Sequence, residues 1–260
     1  MAEQLVHYEI ENRVAIVSLD NPPMNALDVP TKEKLCDVFT ELDDRRAEIR
    51  AVILQGAGDK AFAAGADIKA FLDLNPDTAK RRLMKSHRIF TIVENCQWPV
   101  IAAIHGYCLG GGLELALCCD IRYAEEGAQF GFPEVTLAIF PGNGGSQRAH
   151  YFASLGRVKE LVYTGEIISA EEALRVGLIE KVAPAGTVLE KAKELAAKIA
   201  KRGPLGVVAA KKVLNRTRDL PLAEGLELES DVWASLAATE DMKEGARAFI
   251  EKRKPEYKGK

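Results

Sequence analysis

Short apolar strand patterns alternate with helical periodicities along most of the chain, and this alternation constrains its fold more than any other feature. Apolar runs predict strands at residues 5–10, 14–19, 51–54 and 100–104. Apolar residues at helical spacing predict helices after Pro30 and over residues 79–95. The first two strands flank a turn predicted at Glu11-Asn12. Because strands that alternate with helices are joined by crossovers, we predict an α/β fold.

The last third of the chain has a different pattern, which is almost entirely helical from Ala170 onwards. The helical periodicities cover residues 170–176, 187–202, 205–217, 221–238 and 240–253. Only residues 177–182 predict a strand there. We therefore expect an α/β core over residues 1–202 and a helical C-terminal region over residues 203–260.

Charge and cysteine usage exclude several function classes. The chain holds 35 basic and 38 acidic residues, a net charge of −3, which is no general footprint for nucleic acid. No apolar run approaches the ~20 residues that span a bilayer, and the N-terminal segment has no secretory pattern. Five cysteines without metal-type spacing indicate buried, reduced thiols. We expect a cytoplasmic protein without a metal, nucleic-acid or membrane partner.

Two isolated carboxylates lie in the glycine-rich part of the sequence. Nine of the 21 glycines fall in residues 106–145. Glu114 is the only charged residue in residues 95–119, and Glu134 is the only one in residues 130–147. A carboxylate in apolar surroundings has a raised pKa, so the pair predicts general acid and base groups tuned by burial. Alternatively, each carboxylate caps a helix or pairs with a distant arginine such as Arg122 or Arg148.

The glycines Gly110 to Gly112 open a predicted helix, where unpaired backbone N–H groups attract negative charge. The small-residue turn at residues 63–67 is a second place where the backbone can approach a ligand. N–H groups from two such turns can form an oxyanion hole. The glycines match neither a dinucleotide-binding nor a P-loop pattern. We expect His105 to be a hydrogen-bonded structural residue and Cys108 to pack in the core.

Several long segments resemble the enoyl-CoA hydratase/isomerase (crotonase) superfamily. They are KAFAAGADIK at 60–69, IAAIHGYCLGGGLELALCCDIRYA at 101–124, QFGFPEVTLAIFPGNGGSQR at 129–148 and AFIEKRKPEYKG at 248–259. The resemblance implies a crotonase-like core, a superhelix of ββα turns, with a helical C-terminal region that builds trimers or dimers of trimers. It also implies an acyl-CoA thioester substrate, with coenzyme A as part of the substrate and no separate cofactor.

The resemblance further implies a role for each site residue. Ala66 and Gly111 match the oxyanion-hole positions, whose N–H groups hold the thioester carbonyl. Glu114 would orient a water molecule and take its proton, and Glu134 would deliver a proton to the carbon beside the carbonyl. The implied reaction is reversible addition of water across the 2,3 double bond of a 2-enoyl-CoA, as in fatty-acid β-oxidation.

Other positions match the coenzyme A groove of the superfamily. They are Lys60, Ala64, Ala66, Asp67, Ile68, Lys69 and Gly110, together with Phe249 and Lys252 in the C-terminal tail. In relatives these tail positions approach the adenine and 3′-phosphate, sometimes of a neighbouring subunit. The alternative for each lysine is a solvated basic side chain.

The sequence departs from the common hydratase pattern at two positions near the carboxylates. Phe132 stands where many hydratases have a polar residue, and Ala138 where many have glycine. A bulky Phe132 either reshapes the acyl pocket or fills the core. Two alternatives within the superfamily therefore stay open, an isomerase and a hydratase of a cyclic or aromatic-pathway enoyl-CoA. An RNA-binding homologue is a third, which the net charge argues against.

Overall fold

The computed structural model describes residues 5–65 and 71–260. Its strands are β1 (Val6–Glu11), β2 (Val14–Leu19), β3 (Ala51–Gly56), β4 (Ala61–Ala63), β5 (Val100–Ile104), β6 (Tyr107–Leu109), β7 (Ile121–Glu125), β8 (Gln129–Gly131), β9 (Ile167–Ser169) and β10 (Lys181–Ala183). Its α-helices are α1 (Val29–Asp44), α2 (Pro76–Glu94), α3 (Gly111–Ala116), α4 (Gly145–Arg148), α5 (Leu155–Thr164), α6 (Ala170–Val176), α7 (Val188–Ala200), α8 (Pro204–Thr217), α9 (Leu222–Leu236) and α10 (Glu240–Ile250). The predicted α/β class is confirmed.

The larger sheet has the strand order β1-β2-β3-β5-β7-β10, and every neighbouring pair after the first is parallel. Every residue of β2 and of β5 is buried, which explains why these strands appear as continuous apolar runs. The β1–β2 turn lies at Asn12 and Arg13, both with positive φ, one residue later than predicted. Asparagine favours the left-handed conformation that a two-residue hairpin turn requires.

The smaller sheet has the order β4-β6-β8-β9, and the segments that hold Glu114 and Glu134 follow two of its strands. Strands β6 and β8 are parallel neighbours, and their last residues Leu109 and Gly131 are register partners. Helix α3 follows β6, and a 3-10 helix at Pro133–Leu137 follows β8. Because parallel strands end at the same edge of a sheet, segments about 20 residues apart in sequence emerge side by side.

Helices α1 and α2 pack together over the core, and each begins at a capping residue. The Asp28 side chain accepts the N–H of Thr31, and Asn75 forms a capping box with Thr78. Helix α2 starts at Pro76, three residues before the predicted start, because proline suits the first turn of a helix. The predicted apolar face of α1 is buried, at Leu35, Val38, Phe39 and Leu42.

The helical character of the last third is confirmed by α6 to α10. The strand predicted over residues 177–182 is shorter, since Gly177 ends α6 in the left-handed conformation and pairing begins only at Lys181. Strands β4, β6, β7, β8 and β9 and helices α4 and α5 were not predicted. The boundary at residues 202/203 stays a prediction. Helix α8 is tied to the core by the buried Lys211, whose Nζ lies 2.7 Å from Asp120 Oδ2.

No helix within residues 5–65 and 71–260 combines the length and the apolarity that a membrane crossing requires.

Candidate active site

Glu114 lies on α3 and is completely buried. Its Oε1 accepts the backbone N–H groups of Asn143, at 2.7 Å, and of Gly145, at 2.8 Å. Its Oε2 accepts the side-chain amide of Asn143 at 2.8 Å. Burial raises the pKa of Glu114, and these three N–H donors act in the opposite direction because they stabilise the anion. The carboxylate is therefore held in a fixed orientation within an apolar surrounding.

Glu134 lies in the first turn of the 3-10 helix that follows β8. Its Oε2 is buried and has no hydrogen-bond partner among the described residues. Burial, and then the nearby charge of Glu114, raise the pKa of Glu134 to about 7. Two neighbouring carboxyl groups thus have unequal surroundings, since one is surrounded by donors and the other is not. This is the arrangement in which one group keeps a proton while the other is ionised.

Two structural roles were the alternatives for these carboxylates, pairing with a distant arginine and capping a helix, and only the second is observed, for Glu114. Arg122 pairs with Glu180, and Arg148 pairs with Glu94 at 2.7 Å, so neither arginine pairs with Glu114 or Glu134. The capping alternative does apply to Glu114, because Gly145 is the first residue of α4. This cap serves a helix of only four residues. It does not account for the buried Oε2 of Glu134, which has no hydrogen-bond partner in the described part of the chain.

Glycines allow the site segments to approach one another. A Cβ at Gly112 would overlap the carbonyl oxygen of Ala63, so α3 can lie against β4 only with glycine there. A Cβ at Gly145 would lie 2.8 Å from the Phe132 ring and 2.9 Å from Glu114 Cγ. Gly110 has a φ of 54° and lies against Glu134 Oε1. The glycine cluster in the sequence therefore marks close backbone contact at this site.

A cavity of about 370 Å³ opens onto Glu134 and onto Asn143, the residue that donates to Glu114. Gly111, Glu134 and Asn143 line it, and much of its wall is apolar, with Leu27, Phe90, Leu137, Ile139 and Phe140. Gly111 is the first residue of α3, where a backbone N–H has no acceptor inside the helix. Such a donor can bind an oxygen that becomes negatively charged during a reaction.

The other predicted site residues are distributed as follows. Ala66, Asp67, Ile68 and Lys69 lie outside the described residues, although Gly65 beside them lines the cavity. Ala64 is buried and donates its N–H to the carbonyl of Met24, Gly110 is buried, and Lys60 is exposed. Phe249 and Lys252 are exposed near the end of the chain. Neither is among the residues that line the cavity.

The structure also tests the predictions made for other residues near the site. Phe132 is fully buried in the main apolar core and does not line the cavity, so it fills the core. Cys108 is buried as predicted, and burial raises the pKa of its thiol. The expected hydrogen bonding of His105 is not met at Nε2, which is buried without a partner among the described residues. Ala138 adopts the left-handed conformation, with a φ of 56°.

Sequence reasoning missed Asn143, which donates to Glu114 through its backbone and its side chain, and it missed Lys32. Lys32 lines the cavity and is buried on the inner face of α1. A signal for it exists in the sequence, because Lys32 lies three residues before Leu35 and seven before Phe39, both on the apolar face. No group of three or more His, Cys, Asp or Glu side chains in the described part of the chain is placed to hold a metal ion.

Comparisons with known proteins point to one family. Residues 9–260 match the family model described as "Enoyl-CoA hydratase/isomerase". The chain is 41% identical over 249 residues to the short-chain-enoyl-CoA hydratase of Clostridium acetobutylicum, covering 95% of each chain. It is 38% identical over 258 residues to the crotonyl-CoA hydratase of Syntrophomonas wolfei, covering 99% of each. The crystal structure of an enoyl-CoA hydratase from Bacillus anthracis superposes with a TM-score of 0.93 at 41% identity, covering 98% of this chain and all of the other.

Proposed function

The chain belongs to the enoyl-CoA hydratase/isomerase family, and from this premise we propose that it is an enoyl-CoA hydratase. As a hydro-lyase it adds water reversibly across the 2,3 double bond of a 2-enoyl-CoA to give a 3-hydroxyacyl-CoA. The observation that carries the proposal is the pair of a buried Glu114, held by three N–H donors, and a half-buried Glu134, whose buried Oε2 has no hydrogen-bond partner among the described residues. Hydration needs one group that takes a proton and one that gives a proton, and this pair supplies both.

The first step of the proposed mechanism is polarisation of the thioester. The carbonyl oxygen accepts the backbone N–H of Gly111 and, by resemblance, that of Ala66. These donors stabilise the enolate oxygen that forms when a nucleophile adds at C3. Removing one such donor typically costs about 10²–10³ in rate.

Water addition then uses the two carboxyl groups in complementary roles. Ionised Glu114 accepts a proton from water as the water oxygen bonds to C3, and the electron pair of the double bond moves toward the carbonyl. Protonated Glu134 delivers its proton to C2, which restores the thioester. Three N–H donors favour the anion at Glu114, and Glu134 Oε2, without a hydrogen-bond partner among the described residues, favours the acid, so the proposed starting protonation states suit addition. Dehydration follows the same path in reverse.

The proposal includes the oligomer, the cofactor requirement and the cellular setting. Large apolar side chains on the C-terminal helices are exposed, including Leu222, Trp233 and Ile250, which supports a trimer or a dimer of trimers. The tail residues Phe249 and Lys252 would then reach coenzyme A across a subunit boundary. We propose that no cofactor is needed, because coenzyme A is part of the substrate. The free cysteines support action in the cytoplasm, in fatty-acid or related acyl-CoA metabolism.

The deciding experiment is an assay of purified protein on 2-enoyl-CoA and 3-enoyl-CoA thioesters, with the variants Glu114→Gln and Glu134→Gln. Glu126→Gln is the matched control, since Glu126 is exposed and does not line the cavity. We expect hydration of crotonyl-CoA to fall by at least about 10²-fold in each site variant and to stay unchanged in the control. Hydration that survives both site substitutions would refute the two-carboxylate mechanism. Turnover of 3-enoyl-CoA alone would identify an isomerase.

A further inference from the structure

Lys32 is a buried cation inside the proposed substrate cavity. Only 7% of the residue is exposed, and its Nζ donates to Ser86 Oγ at 2.7 Å. Lys32 and Ser86 line the cavity that also holds Gly111 and Glu134. A lysine is rarely buried without a use, because its charge loses solvation. A cavity for a purely hydrocarbon acyl chain would be served better by an apolar side chain at this position.

The charges around Lys32 come from three helices. Asp28 caps α1, Arg82 and Lys85 lie on α2, and Glu114 lies on α3. Burial and then Arg82 lower the pKa of Lys32 to about 8, whereas Glu114 and Asp28 act in the opposite direction. The amine is therefore mostly protonated at neutral pH. An anion placed beside it would replace part of the solvation that burial removes.

Arg82 adds a second positive charge to the same wall. It lines the cavity with Lys32 and Ser86, and its guanidinium lies 5.3 Å from the centre of the Phe71 ring. Lys32, Leu74, Arg82 and Ser86 also line a neighbouring cavity of about 330 Å³, so this wall lies between two open spaces. Two cations and a hydroxyl on an otherwise apolar wall are the groups that bind a carboxylate.

We propose that Lys32, together with Ser86 and Arg82, selects 2-enoyl-CoA substrates whose acyl chain ends in a carboxylate. The inference rests on the proposed function for the thioester end of the substrate. The lysine ammonium has three N–H groups, of which one is directed at Ser86, and the others can donate to a carboxylate. The Ser86 hydroxyl, which accepts from Lys32, can donate its own hydrogen to the same group.

Binding of unreactive saturated thioesters tests the proposal without requiring turnover. The probes are glutaryl-CoA and adipyl-CoA, which end in a carboxylate, pentanoyl-CoA and hexanoyl-CoA, which end in a methyl group, and free coenzyme A. Dissociation constants are measured by calorimetry for the wild type, Lys32→Met, Lys32→Arg and Ser86→Ala. Lys34→Met is the control, because Lys34 is on the same helix but does not line the cavity. Thermal unfolding checks that each variant is folded, and Ser86→Ala and Lys32→Arg decide the question if Lys32→Met does not fold.

We expect the wild type to bind at least one diacid thioester about tenfold or more tightly than its monoacid partner. Lys32→Met should remove this preference, Ser86→Ala should reduce it, and Lys32→Arg should retain part of it. Lys34→Met should behave as the wild type. The proposal is overturned if the wild type prefers neither diacid or if Lys32→Met keeps the preference. It is also overturned if Lys32→Met weakens free coenzyme A as much as the acyl thioesters, since the lysine would then contact the coenzyme.

Hydration rates distinguish a failure of the carboxylate selectivity from a failure of the proposed hydratase function. Glutaconyl-CoA and 2-pentenoyl-CoA have the same number of acyl carbons and differ in the terminal group. Equal hydration of both would refute the carboxylate selectivity and leave the hydratase standing. Tight, Lys32-dependent binding of the diacid analogues without hydration of any enoyl-CoA would refute the hydratase and leave the selectivity standing.

Discussion

Asn143→Ala isolates the contribution of hydrogen bonding to the base. The substitution removes the side-chain donor to Glu114 Oε2 and leaves the backbone donors of Asn143 and Gly145 on Oε1. The carboxylate then keeps two of its three N–H partners. Because Asn143 would act on the reaction through Glu114, we class it as a positioning residue, and its effect must appear in the pH dependence.

The magnitude follows from the strength of a hydrogen bond to a charged group, about 1.5–3 kcal/mol. One pH unit corresponds to about 1.4 kcal/mol of preference for the ionised form. Losing the amide donor makes the anion of Glu114 less favourable, so the pKa of Glu114 rises further. If Glu114 must be ionised to accept the proton of water, the acid limb of the pH profile should move to higher pH by about one to two units.

The assay is kcat/KM for crotonyl-CoA hydration between pH 5 and pH 9, since this ratio reports the ionisations of the free enzyme. The control is Gln147→Ala, a nearby exposed amide whose side chain bonds only Ser146 among the described residues. We expect the acid limb to move in Asn143→Ala and to stay in place in the control. A uniform loss of rate with an unmoved limb would refute the argument that this amide sets the ionisation of Glu114.

Four further predictions concern acid chemistry and stability. Because burial raises the pKa of Glu134 from 4.5 to about 7, the folded protein loses stability as pH rises between these values. At pH 8, Glu134→Gln should therefore have a free energy of unfolding that exceeds the wild-type value by at most about 3 kcal/mol, measured by chemical denaturation. At pH 4 its free energy of unfolding should not exceed that of the wild type. Since Glu134 must be protonated to act, hydration should decline above about pH 7, and a rate that stays flat to pH 9 would contradict its role as the acid. Gly112→Ala forces a methyl group against the Ala63 carbonyl and should cost about 1–3 kcal/mol, visible as a lower Tm. Lys211→Met leaves Asp120 partly buried without its cation and should cost about 3 kcal/mol, and an unchanged Tm would show that α8 is held by other contacts.

The longer helices and the strands β1, β2, β3 and β5 were predictable because hydrophobic periodicity is a local property, whereas the strands of the smaller sheet, β7 and the helices α4 and α5 were missed. The buried face of α1 and the helical last third follow the pattern of the sequence closely. The errors lie where local geometry intervenes. Gly177 adopts a left-handed conformation that ends α6 and delays β10, and the three-residue β9 is too short to show a period.

The candidate site was predictable to the level of its two carboxylates but not of their surroundings. The sequence predicts Glu114 and Glu134 as candidates because each is the only charged residue in an apolar segment. Their unequal hydrogen bonding depends on donors that come from elsewhere in the chain. Phe132 illustrates the same limit, since its place in the core, away from the cavity, depends on how the 3-10 helix packs against Gly145.

The sequence by itself determined the α/β class, the family resemblance and the pair of isolated carboxylates beside a glycine cluster. Each of these depends on residues close together in the chain. Only the tertiary structure decided that Asn143 donates a hydrogen bond to Glu114, 29 residues away in the sequence. It also decided that Lys32 donates to Ser86, 54 residues away, in the wall of one cavity. The physical reason is that the register of β6 beside β8 and the packing of α1 against α2 bring distant residues together. The ionisation and selectivity of a site depend on those contacts, and no local pattern in the sequence contains them.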